Sequence, residues 1–189
     1  MTTVPVVQVL PTRLDGVLLI EPVVHGDERG FFLESFRADL LEHAGVKLDW
    51  IQDNHSRSRH GIVRGMHFQL GQAKLVRAVR GAIFDVACDI RVGSPNFGEW
   101  VGYELNDENH RQLLVPSGFA HGFCVLSEVA DVTYKTDAYY DPTVEGGFKF
   151  DDPAVGIEWP LAPAELTASL RDQTAPTLAE LTPSLPFKY

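Results

Sequence analysis

The stretch Gly61-Ile-Val-Arg64-Gly65-Met-His67-Phe-Gln69 places a histidine inside an apolar, strand-like segment, three residues after an arginine. Lys74 opens the next such run, Lys74-Leu-Val-Arg-Ala-Val-Arg80. A base and several cations on the wall of a β-structure are what proton abstraction from an anionic substrate needs. A lone strand histidine is more often a satisfied structural group, so the reading depends on the neighbours of His67. Alternation puts Gly65, His67 and Gln69 on one face and Arg64, Met66 and Phe68 on the other. Gly65 is a natural bulge position, and a bulge there is expected to turn Arg64 toward the His67 side.

His121 lies in Gly118-Phe-Ala-His121-Gly-Phe123, directly after a Pro-Ser-Gly turn. Three roles are open to it: substrate ligand, metal ligand, or packed turn residue. A metal site in a β-barrel usually draws on several histidines and a carboxylate. No second histidine stands two residues from His67 or His121, which argues against zinc and non-haem iron. Tyrosine is a neutral acid at pH 7. Tyr134 sits mid-strand, sharing a face with Val132 and Thr136, and Tyr139 and Tyr140 follow it. Two further pairs, Phe32 with Glu34 and Gln52 with Asn54, have the i, i+2 spacing that sets side chains together on a strand face. Polar groups inside a barrel must be paired, and a ligand is a common partner.

These residues need a scaffold, and the chain of 189 residues is long enough for one domain with a full core. Phe84, Val86, Cys88 and Ile90 alternate with Asp85, Ala87, Asp89 and Arg91, which reads as a half-buried strand. Short runs recur at 17–20, 31–36, 50–54, 62–68, 74–79, 98–104, 112–115, 122–126 and 131–136, separated by Gly, Pro, Asn and Asp turns. Many short strands at regular spacing predict an all-β sandwich or barrel. Helix is scarce. Ser35 is placed to cap a short helix from Phe36 to His43, stopped by Gly45. Thr177-Leu-Ala-Glu180 has capping-box spacing. Both helices are expected on the outside of the barrel. The core is expected over roughly 17–150, with 151–189 as a C-terminal segment.

The net charge of −10 argues against general nucleic-acid binding, which needs a basic face. Yet Arg57, Arg59, Arg64, Lys74, Arg77 and Arg80 cluster, and a local basic patch can focus a small anion into a cleft. For Arg57 and Arg59 a solvated strand face is the preferred reading. No apolar run is long enough to span a bilayer. The opening Met1-Thr-Thr-Val-Pro5 lacks a signal-peptide pattern, so a cytoplasmic protein is expected. Cys88 and Cys124 read as two buried free thiols.

A larger pattern joins these segments. Asp27-Glu-Arg29-Gly-Phe-Phe-Leu-Glu34 is followed by Gln52-Asp-Asn54-His-Ser56, Arg64-Gly-Met-His67-Phe-Gln69 and Gln72-Ala-Lys-Leu-Val76. Asp85-Val86, Asp89-Ile-Arg91, Gly93-Ser-Pro95, Phe97-Gly98, Gly118-Phe-Ala-His-Gly-Phe123, Tyr134-Lys135, Tyr140, Asp151-Asp-Pro153, Trp159-Pro160 and Ser169-Leu-Arg-Asp172 continue it in order. Over nearly its whole length the chain resembles the dTDP-4-dehydrorhamnose 3,5-epimerase family. The resemblance implies a single cupin-type jelly-roll β-barrel with a few short peripheral helices, forming a homodimer without metal or organic cofactor. It implies a dTDP-4-keto-6-deoxyhexose as substrate. By the same carry-over, His67 is the base, Asp172 its orienting carboxylate, Tyr134 the acid, and Lys74 the cation near the keto oxygen. Tyr140 stacks on the thymine, and Arg29, Phe32, Glu34, Gln52, Asn54, Arg64, His121, Glu145 and Arg171 line the nucleotide and sugar site. The connection from His67 to Lys74 is shorter than the family pattern, and Arg171 stands where a lysine is common. Competing readings are a single-position epimerase at C3 or C5, a non-catalytic sugar-nucleotide-binding cupin, and a metal-dependent cupin oxygenase.

Overall fold

In a computed structural model, residues 7–189 are described; the segment Met1–Pro5, read above for targeting, lies outside them. The strands in chain order are β1 (Gln8–Pro11), β2 (Leu18–Glu21), β3 (Val24–Asp27), β4 (Gly30–Leu33), β5 (Gln52–Arg59), β6 (Ile62–Gln69) and β7 (Lys74–Arg80). Then come β8 (Ala82–Asp89), β9 (Trp100–Asn106), β10 (Gln112–Val115), β11 (Phe119–Val125), β12 (Val129–Thr136), β13 (Glu145–Gly147) and β14 (Thr167–Ala168). Three short helices accompany them: α1 (Ala38–His43), α2 (Leu170–Gln173) and α3 (Leu178–Leu181). One sheet runs β1-β2-β10-β7-β12-β5; a second runs β13-β6-β11-β8-β9, with β14 parallel to β6; β3 and β4 form a separate hairpin. This is the all-β sandwich expected from the strand spacing, in the cupin-like form that the family resemblance implies.

The two sheets face each other across an apolar core. Val76, Leu113 and Val132 come from the first sheet; Ile83, Ala87, Leu105 and Phe123 come from the second. The back of the second sheet is also covered. Met66, Phe68, Val86 and Cys88 pack there against Leu178, Leu185 and Phe187 of the C-terminal segment. β8 is therefore buried on both faces, not on one. Its polar alternate positions point into the sandwich, and Asp85 and Asp89 are fully buried. Cys88 and Cys124 are buried free thiols, and burial pushes the Cys124 thiol up to about 11.

Other boundaries differ in ways the chain explains. The helix expected from Phe36 starts at Ala38; Arg37 is its N-cap, with no side-chain cap bond, and pairs with Asp39 instead. Phe36 stays outside the helix and packs edge-on against Trp50. The Thr177 box forms as expected, with the hydroxyl accepting from the Glu180 N–H. Arg57 lies on an exposed strand face as expected, and there it also binds the Asp131 carboxylate through Nε and Nη2, at 2.7 and 2.8 Å.

The expected bulge is present in β6. His121 pairs with His67 and Phe123 with Arg64, so Gly65 and Met66 stand opposite the single residue Gly122. Gly65 has φ +142°, and a Cβ there would stand 2.5 Å from the Gly122 Cα. Only glycine allows these two backbones to approach so closely. Gly65→Ala is expected to cost about 3 kcal/mol in urea unfolding, from overpacking and backbone strain together. Gly71, also at positive φ but with open space around it, is the control and should lose about 1 kcal/mol as alanine. Equal losses at the two positions would contradict the steric account.

Candidate active site

A cavity of about 550 Å³ opens between the sheets at the bulge. His67 and Arg64 both line it, so the bulge does bring the two to one side. Lys74 and Tyr134 line it from β7 and β12 of the opposite sheet. Asp172 and Arg171 enter from α2; His121, Tyr140 and Glu145 complete the charged and aromatic wall. The short connection after His67 does not displace Lys74 from the site.

Local pairing explains how Asp172 arrives. β14 pairs with β6 at Thr167–Ile62 and Ala168–Val63, which docks the C-terminal segment along the base-bearing strand. Ser169 then caps α2, accepting from the Asp172 N–H at 3.2 Å. His67 Nε2 lies 2.6 Å from Asp172 Oδ1. With the carboxylate as acceptor, Nε2 carries the hydrogen and Nδ1 is left with the lone pair. Burial pushes the Asp172 carboxyl up. His67, the Ser169 hydroxyl and the Gly65 N–H outweigh burial and hold it below the usual carboxylate range.

Lys74 is half-buried on the cavity wall, and burial pushes its ammonium down to about 8, against the pull of Glu145 and Asp85. Tyr134 is pushed up, first by burial and then by Glu145 and Tyr140, so its phenol keeps its proton at neutral pH. Glu145 ties the rim together: Arg171 Nη2 lies 2.9 Å from it and the Tyr140 hydroxyl donates to it at 3.1 Å. Arg64 Nε donates to the Ser58 hydroxyl at 3.0 Å.

Asp85 stands in the family pattern, but sequence reading gave it no site role. His121 Nε2 donates to Asp85 Oδ1 at 2.7 Å, a second histidine–carboxylate pair in the same cavity. Oδ2 of Asp85 is buried without a partner, and burial pushes this carboxyl up despite His121 and Lys74. The alternation in β8 had marked Asp85, but only as a solvent-facing position.

Five expected residues lie outside this cavity. Arg29 pairs with Asp27 on the β3–β4 hairpin, where Phe32 is 69% exposed. Glu34 stands 3.7 Å from Arg37 near the start of α1. Gln52 and Asn54, on β5, bond each other at 3.0 Å. Among the described residues no three His, Cys, Asp or Glu side chains converge as metal ligands, and no helix is long and apolar enough to cross a membrane.

The fold and cavity define a jelly-roll protein furnished for proton transfer on an anionic ligand: an oriented histidine on one sheet, a phenol and an ammonium on the other. Residues 11–180 match the family described as dTDP-4-dehydrorhamnose 3,5-epimerase, and the chain belongs to that family. It is 51% identical over 175 residues to the Salmonella typhimurium dTDP-4-dehydrorhamnose 3,5-epimerase, covering 90% of this chain and 94% of that one. The Shigella flexneri enzyme of the same name is 53% identical over 157 residues, covering 81% and 87%. A Legionella pneumophila dTDP-6-deoxy-D-glucose-3,5-epimerase, solved in complex with dTDP-4-keto-L-rhamnose, superposes with a TM-score of 0.93 at 45% identity, covering 97% and 98%. A 3'-monoepimerase from Streptomyces bikiniensis, in complex with dTDP-quinovose, superposes at 0.88 with 35% identity, covering 93% and 90%.

The depressed Asp172 carboxyl implies a pH signature. Its ionised form is favoured by folding, so its contribution is present above the unfolded value of 3.8 and lost as pH falls below it. Asp172→Asn should therefore unfold at lower urea than wild type at pH 7, with the gap narrowing as pH falls below 3.8. A gap independent of pH would contradict this.

Proposed function

We propose that this protein inverts C3 and C5 of dTDP-4-dehydro-6-deoxy-D-glucose, giving dTDP-4-dehydro-L-rhamnose. The observation that carries the reading is the His67–Asp172 pair, set in one cavity across from Tyr134 and Lys74. The C4 ketone acidifies the hydrogens on C3 and C5. His67 removes one through Nδ1, and Asp172 stabilises the imidazolium that forms. The Lys74 ammonium stabilises the enolate oxygen in a desolvated site. Tyr134 delivers a proton to the opposite face, so the configuration inverts. His67 then gives its proton to water and Tyr134 takes one back, after which the second carbon follows the same sequence; the scheme uses no cofactor and no metal.

Arg64 and Arg171 offer guanidinium forks to the diphosphate. His121 and Glu145 position the sugar, and Tyr140 stacks on the thymine. Arg29, Phe32, Glu34, Gln52 and Asn54 do not reach the cavity of their own chain. The projecting hairpin, with Phe31 and Phe32 exposed, supports a homodimer in which Arg29 and Phe32 serve a second copy's nucleotide site. A nucleotide-linked substrate made inside the cell supports a cytoplasmic enzyme.

Proton NMR of the reaction in D₂O tests the reading. Deuterium should enter both C3 and C5 as the doubly inverted product forms; exchange confined to one carbon would establish a single-position epimerase instead. His67→Ala should lower kcat by about 10²- to 10⁴-fold while dTDP still binds. Activity should also decline as pH rises through about 8, where Lys74 loses its proton. Lys74→Ala should lower kcat by about 10²-fold and abolish that alkaline limb. Persistence of the limb in Lys74→Ala would assign it to another group.

A further inference from the structure

Gln69 closes β6, two positions beyond His67, and is only 5% exposed. Its carboxamide makes two backbone bonds. Nε2 donates to the Tyr139 carbonyl at 2.9 Å, and Oε1 accepts the Asp141 N–H at 2.9 Å. These bonds bracket Tyr140. The N–H of Tyr140 itself donates to Gln52 Oε1 at 3.1 Å. Nearby, Gln72 Nε2 donates to the Ala138 carbonyl at 3.1 Å, and Asp137 Oδ1 accepts the Ala73 N–H at 2.7 Å.

The Tyr140 side chain has no comparable support. The residue is 56% exposed, and its one side-chain bond runs to Glu145. An exposed ring on a loop costs entropy to hold in a single place, and a ligand that stacks on it must supply what the protein does not. Here the backbone beneath the ring is pinned on both sides by one buried amide. That amide belongs to the strand that carries the base.

We propose that Gln69 is a positioning residue for nucleotide recognition: by clamping Tyr139 and Asp141 it fixes Tyr140 as a preformed stacking platform. Gln52, on the neighbouring sheet, secures the same loop from the other side. The inference rests on the reading that Tyr140 stacks on the base. It adds that the affinity of this platform is set by two glutamines acting through the backbone of its loop. The chemistry at His67 proceeds on whatever substrate is bound, so loosening the clamp acts on binding.

The test combines Gln69→Leu, which keeps apolar volume but removes both bonds, with Tyr140→Ala and the double variant. The dissociation constant of dTDP is measured by calorimetry, and KM and kcat with dTDP-4-keto-6-deoxyglucose. Gln69→Leu should raise the dTDP dissociation constant and KM about tenfold, with kcat changed less than twofold. In the Tyr140→Ala background it should add less than twofold, because the platform is already gone. Gln69→Glu, which keeps an acceptor for the Asp141 N–H, should show a smaller rise and gives a second reading if the leucine variant folds poorly. A fall in kcat with KM unchanged, or full additivity with Tyr140→Ala, would overturn the proposal. Unchanged dTDP affinity in Gln69→Leu beside weakened affinity in Tyr140→Ala overturns the clamp alone. Unchanged affinity in Tyr140→Ala overturns the stacking reading and the clamp with it.

Discussion

The Asp172 carboxylate is 4% exposed, and an ionised group so placed persists only where donors replace water. Three converge on it: the His67 ring, the Ser169 hydroxyl and the Gly65 N–H. Each comes from a different local device. The ring comes from a strand, the hydroxyl from a helix cap, and the N–H from a bulge. The carboxylate thus ties the C-terminal segment to β6, and the same contact orients the histidine. Without the bulge, strict alternation would turn Arg64 away from the cavity. Geometry of the site and docking of the C-terminal segment are one constraint.

The second organising feature is the separation of the walls. His67 stands on one sheet; Tyr134 and Lys74 stand on the other, with Thr136 of β12 paired to Lys74 of β7. In the proposed scheme a ligand between them meets a base on one side and a neutral acid on the other, which is the requirement for inversion by proton exchange. Desolvation serves both partners in opposite ways. It keeps the phenol protonated, and it brings the ammonium down to about 8, close to working pH. The neighbouring carboxylates Glu145 and Asp85 prevent a larger fall. An acidic protein thereby keeps Arg64, Lys74 and Arg171 on the wall of one cavity.

Much of this was legible in the chain. Glycine inside a strand pattern next to a histidine marked the bulge, because backbone approach leaves a residue-level signature. Period-two alternation marked the strands, and Thr177-Leu-Ala-Glu180 marked its own cap. Asp172 and Glu145 were legible only through resemblance, since nothing local says that a helix near the C-terminus returns to β6. Asp85 was misread for a related reason. Alternation shows two faces but not what covers each, and the cover on the outer face of β8 comes from Leu185 and Phe187. Gln52 was placed at the substrate because polar residues on a strand face need partners; its partner proved to be the Tyr140 backbone. Arg29 and Phe32 sit on a hairpin whose packing is outside the single chain's core.

The division of labour between the walls is open to one direct measurement: Tyr134→Phe incubated with dTDP-4-keto-6-deoxyglucose in D₂O, followed by proton NMR. With His67 and Asp172 intact, the base should still remove and return a hydrogen on its own side. Deuterium should then enter with configuration retained, while inverted product falls by about 10²-fold or more. Inversion at the wild-type rate, or loss of deuterium entry together with inversion, would contradict a base and an acid on opposite walls.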